Sequence, residues 1–239
     1  MNIRNLIYFV LPLCLLLLPY VFFAFFDGAP FYFDKESGAV ENITAITLAV
    51  ALLLTLNTLV QYRSTSISTI QAAGSYRGFI LVWLLVYALG CIYFLGEEIS
   101  WGQHLFNWST PDKWLAINDQ QETNIHNTSA LFDQVPRFLL SIGIVIGGLF
   151  YPYFVRKRPL NDSHRASIFT LLMPSFQCVT SASTVLLISV HDKVYDLLKI
   201  DMPTFLQIND GEVKESLIAL FLLVYMYDFY QRLKAGSQV

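Results

Sequence analysis

The stretch Gly96–Asn127, GEEISWGQHLFNWSTPDKWLAINDQQETNIHN, determines how the rest of the chain is interpreted. It follows an apolar run, Phe79–Leu95, which stops abruptly at two adjacent carboxylates. No other segment of the sequence holds as many side chains capable of binding a metal in so short a length. In Gly96–Asn127 these side chains lie at the two ends of the stretch: Glu97, Glu98, Glu122 and His126.

The composition indicates a membrane protein. Of the 239 residues, 55% are hydrophobic and 14% are charged, whereas soluble domains carry about 25% charged residues. Apolar runs of about 20 residues are long enough to cross a bilayer as helices. We therefore predict an all-α fold, a polytopic transmembrane helical bundle forming a single domain over residues 1–239. Six spans are expected, at about 6–26, 40–60, 78–95, 136–155, 166–190 and 213–230.

The distribution of basic residues predicts the orientation. With the N-terminus inside and six spans, the basic side chains concentrate in cytoplasmic segments, as the positive-inside rule requires. The motif loop 96–135 then faces the periplasm, or the equivalent outer side in a eukaryote, and short helices at the membrane surface are expected within it. The basic residues concerned are Arg4, Arg63, Arg77, Arg156, Lys157, Arg158, Arg165, Arg232 and Lys234.

Helical spacing within the motif loop suggests a metal site. If the span-three helix continues past Glu98, then Glu97, Trp101 and His104 share one face. Glu122 and His126, four residues apart, would lie on neighbouring turns of a second helix. Carboxylate and imidazole suit zinc or a similar divalent cation. We predict metal ligands at Glu98, Glu122, His126 and His104, with Glu97 and Glu98 as catalytic carboxylates.

Other polar residues complete the predicted site, although capping and solvation of helix ends are alternative explanations for many of them. Trp101, Gln103, Asn118, Asn124 and Asn127 are candidates for contacts with a substrate headgroup. A secondary set lies near helix ends on the same predicted side: Glu41, His191, Asp192 and Glu212.

The motif loop also resembles part of a known group of proteins. GEEISWGQ (96–103), the Thr110–Pro111 pair and the pattern N-x-Q-x-E-x-N-x-H-N (118–127) are similar to a signature of uncharacterised bacterial polytopic inner-membrane proteins. The resemblance implies a bacterial inner-membrane location and transfers no activity. The chain departs from that group at His104, where a basic residue such as arginine is expected.

A looser chemical analogy exists with the seven-span metal hydrolases of the alkaline ceramidase and adiponectin-receptor kind. Those proteins are similar in placing histidine and acidic residues at helix ends beside a lipid-accessible cavity. Their HxxxH motif in a late span is absent from this sequence.

Three functions remain open from the sequence. The first is a metal-dependent hydrolase acting on a lipid or lipid-linked substrate. The second is a non-enzymatic cation channel, transporter or sensor, suggested by the polar patch Gln177–Thr184 in span five. The third is a scaffold of an envelope complex, with the Trp-rich segment 101–114 as its contact. Membrane lipids, an envelope partner or a second copy of the chain are the expected partners, and the net charge of −3 argues against nucleic acid.

Overall fold

The computed structural model describes residues 3–26, 38–64, 76–118, 121–156 and 168–236. Within those ranges all regular secondary structure is helical, as predicted. The long helices are α1 (Ile3–Phe25), α2 (Ala39–Arg63), α3 (Arg77–Glu98), α4 (residues 130–156), α5 (Ile168–Leu172 followed by Val179–Leu198) and α6 (Asp210–Gly236).

Between α3 and α4 the described residues of the motif loop, 99–118 and 121–129, form short helical turns. These are Ser100–Gly102, Gln103–Phe106, Asp112–Leu115 and His126–Thr128. Ser129 caps the start of α4 by accepting a hydrogen bond from the backbone N–H of Phe132.

Five helices are long and apolar enough to cross a membrane. They are Ile3–Phe25, Ala39–Arg63, Arg77–Glu98, Gln134–Val155 and Ile168–His191, which coincide closely with the first five predicted spans. Such a set is typical of a multi-pass membrane protein. The remaining helix, α6, is more polar, supplies much of the buried core, and packs against α1, α2 and α5.

α5 is broken at Met173–Ser175, a feature that the sequence analysis did not predict. Pro174 has no amide hydrogen and cannot continue the helix, so the carbonyls of the preceding turn need other donors. α6 supplies them: the Tyr225 hydroxyl donates to the carbonyl of Leu172 at 2.7 Å, and Arg232 Nη1 donates to that of Leu171 at 2.6 Å. A break at membrane depth is tolerated because protein groups satisfy the freed backbone.

A π-helical stretch, Val145–Phe150, interrupts α4 where it approaches α5 and α6. Gly148 lies buried there, and an added Cβ would come within 2.6 Å of Phe221 Cε2 and 2.9 Å of Ala182 Cβ. Close approach through small residues is how helices gain packing energy in a bilayer, where lipid is as apolar as the protein. Gly148 therefore fixes the position of α4 on the bundle.

Gly148→Ala is expected to lower the stability of the bundle by about 1–3 kcal/mol, because the methyl group overpacks a contact that has no free space. The readout is the midpoint of thermal unfolding in detergent, followed by circular dichroism. Gly143→Ala is the matched control, since a Cβ at that position of the same helix meets no atom within 4 Å. Equal midpoints for the two variants would contradict the proposed role of Gly148.

Candidate functional site

The chain reverses direction immediately after α3 through a left-handed turn. Ser100, Trp101 and Gly102 have φ of 47°, 54° and 91°. Residues other than glycine rarely adopt such angles, and they persist only where the surrounding structure holds them. The turn places Trp101 back against α3, where an added Cβ on Gly96 would lie 2.9 Å from the indole ring. Gly96 therefore leaves the space that this ring occupies.

Glu97 ties the end of α3 to the far end of the motif loop. Its Oε2 accepts hydrogen bonds from the backbone amides of Ile125 at 2.7 Å and His126 at 2.8 Å, and the His126 Nδ1 lies 3.3 Å away. Its Oε1 accepts a hydrogen bond from Trp101 Nε1 at 2.8 Å. The side chain is only 3% exposed, and these contacts compensate for its removal from water.

A second set of contacts joins Ser100 to the segment that carries Glu122. The Ser100 hydroxyl donates to Glu122 Oε2 at 2.6 Å, and Asn124 Nδ2 donates to the same oxygen at 2.6 Å. The Ser100 carbonyl accepts from the Thr123 hydroxyl at 2.7 Å. Gln103 adds a further link, because its Oε1 accepts from the Thr123 amide at 2.8 Å. The two ends of the motif loop therefore meet in space.

The helical geometry assumed in the sequence analysis was wrong in two places. α3 ends at Glu98, so Glu97, Trp101 and His104 do not share the face of a continuing helix. Glu122 and His126 do not lie on one helix either, because only His126–Thr128 is helical there. The left-handed turn overrides the helical continuation, yet Glu97 still contacts both Trp101 and His126 through it.

A polar cavity of about 330 Å³ lies where the motif loop meets the first turns of α2 and α6. Among the described residues that line it, there are six carboxylates and one guanidinium, that of Arg137. Arg137 forms an ion pair with Glu215, with 2.9 Å between Nη1 and Oε1. The acidic residues are Glu41, Glu98, Glu122, Asp210, Glu212 and Glu215.

An apolar cavity of about 560 Å³ adjoins this acidic cavity. It lies among α3, α4, the break in α5, and α6, and aromatic and aliphatic side chains form most of its wall. Four residues line both cavities, which therefore lie side by side: Glu98, His126, Arg137 and Glu215.

Glu98 differs from its neighbour Glu97. It is 8% exposed, and among the residues that the structure describes it makes no hydrogen bond and no ion pair. Glu215 and Arg137 line both cavities together with Glu98, and Glu41 and Glu212 line the acidic cavity beside it. A buried carboxylate among other carboxylates is costly unless a positive group compensates it or it takes up a proton.

The remaining predicted residues divide into three groups. Gln103, Asn118 and Asn124 bond mainly within the motif loop; Asn118 Nδ2, for example, donates to the carbonyl of Asn124 at 2.8 Å. Asn124 also lines the acidic cavity, as do Asn127, Glu41 and Glu212. His191 lies apart from both cavities and packs against Tyr20 and Tyr195. The side chains of His104 and Asp192 lie outside the described part of the structure.

Sequence reasoning named Glu98, Glu122 and His126 but did not identify Ser100 and Thr123 as the residues that connect the two ends of the loop. Among the described side chains, no three His, Cys, Asp or Glu are grouped so that they could hold a metal ion.

The comparisons with known proteins add no assignment. The chain matches no protein-family model, no curated protein and no solved structure. Function is therefore argued from the geometry of the two cavities.

Glu97→Ala is expected to accelerate hydrogen exchange at the amides of Ile125 and His126 by roughly ten- to hundredfold. Each of these amides loses a hydrogen bond to a charged acceptor, which contributes about 1.5–3 kcal/mol. Exchange is measured by mass spectrometry on overlapping peptides covering 121–128. Glu98→Ala is the matched control one residue along the chain, and exchange at these amides should stay at the wild-type rate. Unchanged exchange in Glu97→Ala would show that Glu97 does not hold the loop.

Proposed function

We propose that the protein is a membrane-embedded hydrolase acting on a lipid or lipid-linked substrate. The observation that carries the proposal is the junction of the apolar and acidic cavities at Glu98 and His126. An amphiphile with its chain in the apolar cavity and its polar head in the acidic cavity would place its linking bond beside the imidazole. Binding sites of this size are concave, mostly apolar and marked by a few convergent polar groups.

The geometry supports His126 as a general base. The Glu97 carboxylate lies 3.3 Å from Nδ1, which favours the tautomer with its proton on that nitrogen and leaves Nε2 as the acceptor. A water molecule bound between Nε2 and the substrate gives its proton to Nε2 while its oxygen bonds to the carbonyl or phosphoryl centre. The bond to the leaving alcohol then breaks, and the alcohol takes the proton from Nε2. Glu97 is a positioning residue in this scheme.

The divalent cation predicted from the sequence belongs to this proposal as an occupant of the acidic cavity. No reaction step is derived through it, because the described side chains do not form a ligand set. Elemental analysis of the purified protein tests whether the cation is bound. About one zinc-like ion per chain in the wild type, and its loss in the Glu98→Gln, Glu122→Gln double variant, would establish the site.

We also propose that α6 is a sixth span and that the motif loop lies on the periplasmic side of a bacterial inner membrane. Its support is the separation of charge, with acidic residues gathered at the cavity end of the bundle and basic residues in the segments assigned to the other end. This separation is what the positive-inside rule produces.

The cation-pathway alternative has less support from the geometry. In the polar patch of α5, Ser181, Ser183 and Thr184 donate their hydroxyl hydrogens to carbonyls of their own helix. Neither cavity is lined by these residues. These three hydroxyls are therefore satisfied within their own helix and are not presented to a passing ion.

The scaffold alternative is supported by one observation. Phe106 and Trp108 stack with ring centroids 5.8 Å apart, and both rings are exposed on the motif loop. Exposed aromatic groups suit either a membrane–water interface or a protein contact.

His126→Ala is expected to lower turnover of a long-chain ester by about a hundredfold or more, the contribution of a positioned general base. The assay uses p-nitrophenyl palmitate with the purified protein in neutral detergent, and p-nitrophenyl acetate reports reaction that does not need the apolar cavity. His191→Ala tests the other described histidine of the predicted site and should keep wild-type turnover. Full activity in His126→Ala, with an unchanged unfolding midpoint, would reject the mechanism.

A further inference from the structure

A guanidinium lies at the junction of the two cavities, on the same wall as the imidazole that the proposed reaction uses. We infer that Arg137 is a second catalytic residue, whose guanidinium donates hydrogen bonds to the carbonyl or phosphoryl oxygen of the substrate and stabilises the negative charge that this oxygen gains when water adds. This inference deepens the proposed function and rests on it.

The proposed reaction develops a charge that His126 does not stabilise. When the water oxygen bonds to a carbonyl carbon, the electron pair of the C=O π bond moves onto the carbonyl oxygen, which becomes anionic. When the bond to the leaving alcohol breaks, that pair forms the carbonyl again and the alcohol takes the proton from Nε2. Hydrogen-bond donors fixed around such an oxygen are usually the largest single contribution to catalysis of acyl transfer.

The position and accessibility of Arg137 suit this role. Among the described residues that line either cavity, it is the only lysine or arginine, and like His126 it lines both cavities. The side chains of His126 and Arg137 are 26% and 24% exposed, against 11% for Glu215, which also lies at the junction. A reacting bond at the junction therefore has the imidazole and the guanidinium on its walls.

The guanidinium is held in place from two helices. On α4, the Ser141 hydroxyl donates to the backbone carbonyl of Arg137 at 2.6 Å. On α6, Glu215 Oε1 lies 2.9 Å from Nη1, and an added Cβ on Gly211 would lie 3.4 Å from the same nitrogen. A guanidinium carries several N–H donors in a planar fork, so one carboxylate can orient it while it donates to another acceptor. Glu215 is a positioning residue in this scheme.

The neighbouring carboxylates make a positive group necessary at this point. An oxygen that gains negative charge at the junction lies beside Glu98 and Glu215, which line the same walls. Like charges repel strongly where water is largely excluded, and the guanidinium of Arg137 offsets this repulsion. An ester carbonyl is uncharged before water adds, so Arg137 attracts the transition state more strongly than the substrate. Such a difference raises kcat.

Arg137→Gln is expected to lower kcat for p-nitrophenyl palmitate by about a hundredfold or more, the usual effect of removing a donor to the developing oxyanion. KM should stay within about threefold of the wild-type value, because the tail binds in the apolar cavity without the guanidinium. Arg137→Lys keeps the charge but loses the planar fork, and its kcat should fall by about tenfold. This lysine variant carries the test if the glutamine variant does not fold.

Glu215→Gln separates catalysis from packing. It removes the same ion pair between α4 and α6 but keeps the guanidinium, so its kcat should stay at least about tenfold above that of Arg137→Gln. If Arg137 served only to join the two helices, both variants would lose kcat and unfolding midpoint to the same extent. Equal losses would overturn the inference.

A binding experiment tests Arg137 without turnover. The first probe is the methyl ester of hexadecylphosphonic acid, whose anionic tetrahedral phosphorus group stands in for the transition state. The second is a chain-matched methyl ketone, which is uncharged. In isothermal titration calorimetry of the full-length protein in neutral detergent, Arg137→Gln should weaken binding of the phosphonate by about tenfold or more and leave binding of the ketone unchanged. An equal effect on the two probes would contradict the role of Arg137.

The inference and the proposed function fail separately. Wild-type kcat in a folded Arg137→Gln variant would reject the role of Arg137 and leave hydrolysis by His126 standing. If the wild-type protein does not hydrolyse the palmitate ester, the proposed function is rejected, and the phosphonate titration alone decides whether Arg137 binds an anionic group at the junction.

Discussion

The arrangement of the site depends on one buried carboxylate, that of Glu97. A helix that ends in a buried environment must redirect its chain without leaving polar groups unsatisfied. Glu97 meets this constraint by accepting two backbone amides from the far end of the motif loop and one indole N–H from Trp101. These contacts hold the turn at Ser100–Gly102 in a left-handed conformation that local sequence disfavours. They also fix His126 at the junction of the two cavities.

The pair Glu97–Glu98 shows how neighbouring residues of one type acquire different roles. Adjacent residues on a helix point about 100° apart. Glu97 bonds to the motif loop and lines only the apolar cavity, whereas Glu98 lines both cavities. The first carboxylate is surrounded by donors, and the second by other carboxylates. A buried carboxylate with donors is held in place by them, whereas one among other carboxylates is stabilised by a positive group or by taking up a proton. These two roles require that the motif loop be held rigidly. The hydrogen bonds that Ser100 and Asn124 donate to Glu122 hold a further part of the loop in place.

Much of the fold could be predicted because membrane spans carry a strong signal. The apolar runs in the sequence gave five spans close to the observed helices, and the gathering of Glu41, Glu98 and Glu212 at one end followed from their positions at helix ends. The turn after Glu98 could not be predicted in this way, because the contacts that hold it come from residues more than 20 positions later. The break in α5 had a local signal, Pro174, whose effect on the helix became clear only with its partners on α6.

α6, the least apolar of the long helices, lies among the other helices. The nature of lipid as a solvent explains this position. Helices that face lipid must be apolar on their outer surfaces, while a helix surrounded by protein can carry polar groups if its neighbours satisfy them. α6 shows this in Asp228, whose Oδ1 accepts from Ser175 and whose Oδ2 accepts from Arg232. Arg232 in turn caps the broken end of α5. Two of the polar residues that lower the apolarity of α6, Asp228 and Arg232, therefore anchor α5. Pro174 and Leu172 of that anchored segment form part of the apolar cavity wall. Packing at one end of the bundle thus shapes the cavity that opens toward Glu98 at the other.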